Sequence, residues 1–554
     1  MKLLLKKDPG GSFEAIVREG PVRLESLVHE YQHELPYRIL IGRVNGRDEE
    51  LDFIIDKDST VELLDMRTHS ANLVYQHTLS LIYLKAVKDV LGNVGVEIEN
   101  SLNKGLYTEI KTNIPVTEEQ VQAIEKRMRQ LVEADVPIVK GVYSREEAVG
   151  IWEKYNYPEK SGLLERAADV KEAKFYHIEG YRNFFYGLMA PSAGYIEHFE
   201  LKKYRRGVLL RFPYYSKPDE IPPFVDDVKL YKAFGEAQKW QQLLVVSYLE
   251  DLNRKIAGGG AKDLILLSEA LHEKKIAEIA DSITKGRKRI VLIAGPSSSG
   301  KTTFARRLCV QLRVNGLEPL YMGTDDYFLN RAETPRGEDG EPNYEDLDAL
   351  DIGLFNDNMN GLLEGREVDL PEFDFISGTK MFGRRVTSIK PSQPIVIEGI
   401  HALNSRLTEY IDDGEKYRIY ISPFTQLNID VHNRVPTTDA RILRRIVRDY
   451  KYRGHTAAQT IAQWPKVRAG EDKNIFPYNG EADVLFNSAL VYELSVLKKY
   501  AEPLLEEVKP EQPEYSEAVR MLNFIRYFEA IEEEQYVPNN SIMREFIGGS
   551  IFVE

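Results

Sequence analysis

The sequence predicts an α/β protein whose second half is a parallel, doubly wound sheet with a lid, preceded by two smaller α+β units. Three observations predict it. The run GPSSSGKTT, Gly295 to Thr303, fits the phosphate-cradling pattern G-x-x-x-x-G-K-[ST] at every fixed position. It stands between RIVLIA, a β-branched apolar run of buried-strand type, and TFARRLCVQLRVNG, an amphipathic helical pattern closed by Gly316. Upstream, residues 1–65 alternate short strand-like runs with turns, and from Met66 the text changes to helical periodicity before returning to strands.

In chain order, RILIGRVNGRDEELDFIIDKDSTVELLD places NG and KD between alternating apolar positions, which makes residues 1–65 a small α+β unit. Residues 66–215 open with the helical pattern HSANLVYQHTLSLIYLKAVKDVLG and continue with TEEQVQAIEKRMRQLVEADV, a second helix with Thr117 and Glu119 near its start. Strand-rich aromatic text closes that unit. Residues 216–285 read as a helical connector, punctuated by KIAGGGAK at Lys255 to Lys262 and ending near Gly286. Residues 286–505 hold the phosphate-binding motif, and residues 506–554 read as an acidic helical tail.

A chain of 554 residues exceeds what one core supports, so about two to four domains are expected. A net charge of -14 argues against a protein that chiefly coats nucleic acid or an anionic membrane. The single cysteine, Cys309, lies on the apolar stripe of the helix after the loop, beside Leu308 and Leu312, and is expected to be a packed core thiol. No run of about 18 apolar residues occurs and MKLLLKKDPGG is too short in apolar residues for a secretion signal, so a cytoplasmic protein without a membrane partner is expected.

The phosphate-binding motif itself carries chemistry. Small residues let the backbone N–H groups of Gly295, Pro296 excepted, Ser297, Ser298, Ser299, Gly300, Lys301, Thr302 and Thr303 turn toward the phosphates of a nucleoside triphosphate. Lys301 is expected to reach the β- and γ-phosphates and Thr302 to ligate Mg2+. PLYMGTDDYF sets Asp325 and Asp326 after one strand-like run and PIVIEG sets Glu398 after another, and ligands of open parallel sheets lie beyond the carboxyl ends of the strands. Phosphoryl transfer needs a metal ligand, a carboxylate for the acceptor hydroxyl and cations for the spreading charge. Glu398 is expected to hold magnesium or its water, and Asp325 to be the acceptor base. RILRRIVRDYKYRGH supplies Arg441, Arg444, Arg445, Arg448 and Arg453; Arg441, Arg445 and Arg448 share one helical face, as a phosphate-closing lid needs, the alternative being a solvated helix face. Arg448 is expected to act in catalysis.

Residues Gly295 to about Ala501 resemble the uridine kinase and phosphoribulokinase family, through GPSSSGKTT, TDDYF, NYEDLDALD, LPEFDF, IVIEGIHAL, the RRIVRD and RG pair, and ADVLFN, in that order. The resemblance implies an ATP- and magnesium-dependent kinase in which the D-x-[FY]-[FY] acid, here Asp325, is the acceptor base. It also implies that Asp346 or Asp348, the aromatics Phe373 and Phe375, and Arg453 bind the acceptor. Uridine kinases carry a histidine shortly after the last of these elements; FDFISGTK carries Gly378 instead. Weak selection among bases is therefore expected, with Gly378→His restoring a preference for pyrimidines.

Residues 1 to about 213 resemble the two N-terminal domains of threonyl-tRNA synthetase: a β-grasp TGS domain, then a domain opening on THSANLVYQ. In the synthetase the second domain hydrolyses mischarged tRNA with an H-x-x-x-H pair and a later Cys-x-x-x-His. Here only His69 survives, with Leu73, Phe185 and Met189 at the other positions, so no editing site is expected and His69 is read as a structural histidine. The cluster Lys202, Lys203, Arg205, Arg206 and Arg211 keeps RNA contact open. The expected partner is a small-molecule acceptor, a nucleoside first; self-association into a homo-oligomer stays open. The rival readings are a kinase of the same fold acting on a sugar phosphate or another alcohol, and a nucleotide-switched RNA-binding, translation-associated protein.

Overall fold

A computed structural model describes residues 1–553 except 155, 156, 168, 169, 338, 339, 341 and 426. The first unit is a five-stranded mixed sheet in the order Glu14–Val17, Lys2–Lys6, Ser59–Asp65, Ile39–Val44, Arg47–Glu49. Lys2–Lys6 and Ser59–Asp65 run parallel and the other neighbours antiparallel, a β-grasp arrangement. Alternation decides its inner face: Leu3 and Leu5 are fully buried on one side of their strand, and helix Leu24–Tyr31 lays Leu24, Leu27 and Val28 on the same core. The NG dipeptide makes the hairpin between Ile39–Val44 and Arg47–Glu49.

The second unit opens with helix α1, His69–Leu91, whose N-terminus is capped by the Thr68 hydroxyl accepting from the Ala71 N–H. Helix Glu118–Glu133 follows behind a reciprocal capping box between Thr117 and Gln120. An antiparallel sheet, in the order Glu200–Tyr204, Gly207–Arg211, Gly105–Lys111, Gly95–Leu102, and a three-stranded sheet of Ile138–Ser144, Glu172–Ile178 and Tyr181–Phe184 complete it. One continuous apolar cluster runs from Leu3 through Tyr83 and Ile124 to Phe212, so the first two units share a core. Helices Val228–Leu244, Leu249–Ala257 and Ala261–Lys285 lead into the second half.

There the sheet is five-stranded and wholly parallel. Its strands are β1 (Ile290–Ala294), β2 (Leu320–Gly323), β3 (Ile395–Glu398), β4 (Lys416–Ser422) and β5 (Val484–Asn487), in the spatial order β2-β3-β1-β4-β5. β1 is apolar throughout because helices cover both faces. Helix α2, Lys301–Val314, packs Phe304, Leu308, Cys309 and Leu312 against Ile276, Ile279 and Ile283 of helix Ala261–Lys285. Cys309 is the buried thiol expected, pushed up to about 11 by burial. Helices α3 (Thr437–Arg453) and α4 (Ala457–Asn474) lie beyond β4, and a β-ribbon of Val368–Asp374 and Thr379–Thr387 stands apart from the main sheet.

In residues 506–554, read from the sequence as a helical tail, the α-helix beyond Glu506 is, among the described residues, helix α5 (Tyr515–Ile525) and the single turn Arg544–Ile547. They are part of the core: Met521, Ile525, Ile531 and Met543 share a buried cluster with Leu443 and Ile446 of α3, and Ile542 and Phe546 pack with Phe304. Acidic composition hid the apolar positions. The same cluster takes in Trp152, Phe175 and Phe184, so α3 also packs on the second unit. Among the described residues no helix is long and apolar enough to cross a membrane.

Candidate active site

Strand register assembles the site. Glu398 stands beside Gly323 on β2 and beside Ile293 on β1, at the carboxyl edge of the sheet. Gly295 and Asp325 each follow two residues beyond those neighbours, which brings the loop, Asp325 and Glu398 to one edge. Gly300, with φ +84°, turns the loop into α2; a Cβ there would lie 2.5 Å from Ile542 Cγ2, so only glycine fits. Past it, the N–H groups of Lys301, Thr302 and Thr303 have no acceptor among the described residues, the condition of a helix N-terminus able to take an anion. Lys301 Nζ donates to the carbonyls of Gly295 at 3.0 Å and Pro296 at 3.3 Å, folded against its own loop.

The Thr302 hydroxyl donates to Glu398 Oε1 at 2.9 Å and the Tyr321 hydroxyl donates to the same oxygen at 3.2 Å. A hydroxyl and a carboxylate side by side beneath a phosphate cradle are an all-oxygen donor pair, which fits Mg2+. Asp325 lies in the 3-10 turn Thr324–Tyr327. Its side chain is open to solvent at the sheet edge, while the protein packed around that edge, and next the charge of Glu398, push its carboxyl up to about 6 against the pull of Lys301. Asp326, its neighbour, is instead held by Arg385 at 2.6 Å.

The arginine helix departs from both sequence expectations. Arg441 and Arg444 are fully buried and Arg445 nearly so, which excludes a solvated face, and they brace the loop from behind instead of closing over it. Arg441 Nε donates to the Ser297 carbonyl at 3.0 Å, Arg444 to the Ser298 carbonyl at 3.3 Å, and Arg445 to the Ser297 hydroxyl at 2.8 Å. Glu471 of α4 pairs with Arg441 and accepts from the Ser297 N–H at 2.9 Å, so Ser297 is clamped at both backbone groups. Ser299, buried, closes the loop by donating its N–H to the Pro296 carbonyl. Arg448 and Arg453 converge with Arg445 on the buried Asp449, at 2.7, 3.5 and 3.1 Å.

On the acceptor side, Asp346 accepts from Lys473 at 2.7 Å and Asp348 from Arg406 at 2.8 Å. Phe373 is buried at 6 % exposure, edge-on to Phe328, Tyr344 and Phe375, so it supports the aromatic cluster and is not an open stacking face; Phe375, at 57 %, is open. Gly378 has φ +69°, and a Cβ there would fall 2.7 to 2.9 Å from the side chain of Arg331. Arg331 thus takes the space where a histidine at 378 would stand, and the expected gain from Gly378→His is withdrawn.

Three acids at the site escaped sequence reasoning. Glu345 is raised by burial and then by Glu471, with Arg445 and Lys301 opposing; its signal was the run of acids in NYEDLDALD. Glu471 and Glu545 come from α4 and from the segment read as a tail, where no local pattern marks them. His401, just past Glu398, is 1 % exposed beside the Glu345 backbone, and burial lowers it to about 4.

In the second unit Leu73, Phe185 and Met189 stand where the resemblance puts editing ligands, and among the described residues no group of acidic, His or Cys side chains is placed to hold a metal. His69 opens α1 with part of its ring open to solvent and Glu517 and Arg520 facing it. Arg211 is buried against Glu200 and the Pro222 carbonyl, which removes it from the basic cluster.

Residues 290–495 match the model of the Phosphoribulokinase / Uridine kinase family. Over 197 residues the chain is 29% identical to a uridine kinase of Deinococcus deserti, covering 35% of this chain and 86% of that protein. Its N-terminal region is similar to threonine–tRNA ligases: 27% identical over 185 residues to that of Burkholderia lata, covering 33% of this chain. The chain spans 29% of that ligase's length. Among solved structures, one from Bacillus stearothermophilus described as a possible uridine kinase is 20% identical, covers 38% of this chain and 99% of that one, and gives a TM-score of 0.25.

Proposed function

We propose that the protein transfers the γ-phosphoryl group of ATP to a hydroxyl of a small molecule, the 5′-hydroxyl of a nucleoside first. One observation carries this: Asp325, near pKa 6, sits at the same sheet edge as Lys301 and the Thr302–Glu398 pair, free of any ion pair among the described residues. A carboxyl of that kind is suited to take the acceptor proton near neutral pH. In the proposed reaction the acceptor hydroxyl gives its proton to Asp325, its oxygen bonds to the γ-phosphorus, and the bond to the β–γ bridging oxygen breaks, releasing ADP. Lys301 leaves the Gly295 and Pro296 carbonyls to meet phosphate oxygens, and the N–H groups of Lys301, Thr302 and Thr303 hold them. Thr302 and Glu398 would hold magnesium, which when bound offsets charge on the β- and γ-phosphates. Arg448 and Arg453 share Asp449 with Arg445, three arginines on one carboxylate, and so bring positive charge for the transferring group.

Support for a nucleoside comes from the uridine kinase similarity and the exposed Phe375 ring. A second reading, a sugar phosphate, is favoured by Arg331, whose guanidinium occupies the place of a base-reading side chain and suits an anionic acceptor. A coupled ADP assay over nucleosides, sugar phosphates and simple alcohols, with and without tRNA, tests it. Acceptor-dependent ADP formation is expected; hydrolysis indifferent to acceptors and stimulated by tRNA would favour a nucleotide-switched RNA-binding protein.

A further inference from the structure

Between α1 and the entry to α3 lies a cavity of about 220 Å³, walled by Leu73, His77 and Phe185 on one side and by Arg434, Asp439 and Phe524 on the other. It occupies the position of the lost editing ligands, but its far wall belongs to the second half of the chain. Its charges do not balance. Arg520 holds Asp439 through both terminal nitrogens, at 2.6 and 2.8 Å, and also Glu517 at 2.7 Å, and at the rim Asp48 pairs with Arg43 at 2.7 Å and Arg47 with Glu49 at 3.4 Å. Arg434 donates through Nε to the Glu99 carbonyl at 3.1 Å, which leaves its terminal nitrogens without an acceptor among the described residues. Burial lowers Arg434 only to about 10, with Asp439 opposing, so it is charged at neutral pH, and Lys174 at the mouth makes no ion pair among the described residues. His77, brought down to about 4 by burial, is neutral and tilted against Phe185 with centroids 6.1 Å apart.

Flat and apolar walls with two cations outside any ion pair among the described residues match an anion that carries an organic body. We propose that this cavity binds a small organic anion, a planar or apolar body bearing one carboxylate or phosphate, and that α3 carries its occupancy to the phosphate loop. The path is short. Asp439, on the cavity wall, precedes by two residues Arg441, which with Arg444 and Arg445 holds Ser297 and Ser298. Wall and loop are thus gripped by the first turns of one helix, and a ligand that pulls Arg434 or shifts the Arg520–Asp439 pair moves the frame of the loop.

Calorimetric titration of the full chain with phenylacetate, uridine 5′-monophosphate and inorganic phosphate tests the site without reference to turnover. The carboxylate and phosphate arms distinguish the two sources of the anion. We expect saturable binding of at least one organic probe, weakened about tenfold or more by Arg434→Met, since that removes a charge-assisted contact. Leu73→Trp, which fills the cavity and leaves the charges, should abolish it. Equilibrium ATP affinity should shift at least about twofold at saturating probe. No binding of either organic probe, binding indifferent to both substitutions, or equal binding of inorganic phosphate would overturn the site; binding with unchanged ATP affinity would overturn the coupling. An acceptor screen that fails leaves these readouts intact.

Discussion

The Glu545 carboxylate accepts a 2.7 Å hydrogen bond from the Thr303 hydroxyl, tying the segment around Ile542–Ile547 to the phosphate loop across 242 residues of chain. Glu545 is buried, and burial raises its carboxyl while Thr303, Arg448 and Lys301 oppose the rise. Glu545→Ala strands the buried Thr303 hydroxyl, a loss of about 1–3 kcal/mol. We expect ATP affinity to fall about tenfold or more, with Glu545→Gln, which keeps an acceptor, close to wild type. Equal behaviour of the two variants in ATP titrations would show that the contact does not order the loop.

Asp325→Asn keeps the shape but cannot take a proton. Turnover should drop by at least about a hundredfold while ATP binding stays within about threefold. The raised carboxyl adds a pH dependence with a definite sign: Asp325 accepts a proton only when ionised, so wild-type kcat/KM should fall as pH drops through about 6. A profile flat from pH 5 to pH 8, on either side of that value, would remove Asp325 from the role. Loss of ATP affinity with turnover preserved would make it a metal ligand.

Gly378→His should lower activity and melting temperature together. The left-handed φ of +69° and the Arg331 side chain 2.7 Å away leave no room for an imidazole, a strain of about 1 kcal/mol or more. The wild type, lacking a base-reading side chain at that place, should use several nucleosides with efficiencies within about two decades of one another. Strict uridine selectivity beyond that span would show that another residue reads the base, and His401, buried just past Glu398, would be the first to test.

The full chain should not deacylate mischarged tRNA. Leu73, Phe185 and Met189 bring no ligand or proton-transfer group to the second unit, and hydrolysis needs several. Deacylation above the uncatalysed rate would contradict this, whereas tRNA binding without hydrolysis would not.

Much of this was written locally. The phosphate loop, its strand and its helix follow from spacing that the backbone itself requires, and Thr117, the NG turn and the continuous helix from His69 to Leu91 follow from capping and periodicity. The arginines of α3 were visible as charges but not as buried ones, because what buries them, Glu471, Glu493 and the loop carbonyls, lies 30 to 146 residues away. The same distance hid Glu545. Arg331 beside Gly378 was equally unreadable: a glycine in sequence says that a side chain is missing, not that another chain segment has taken its place.

The central claim is transfer of a phosphoryl group to a small acceptor, and single-turnover incubation with γ-labelled ATP tests it most directly. The label should move from ATP to a nucleoside or another small alcohol, one label per ADP released. Lys301→Ala should cut that transfer to below about a tenth with an unchanged melting temperature, because a loop lysine stabilises phosphate charge and not the core. Label recovered only as inorganic phosphate across the whole acceptor panel, or transfer undiminished in Lys301→Ala, would contradict the account.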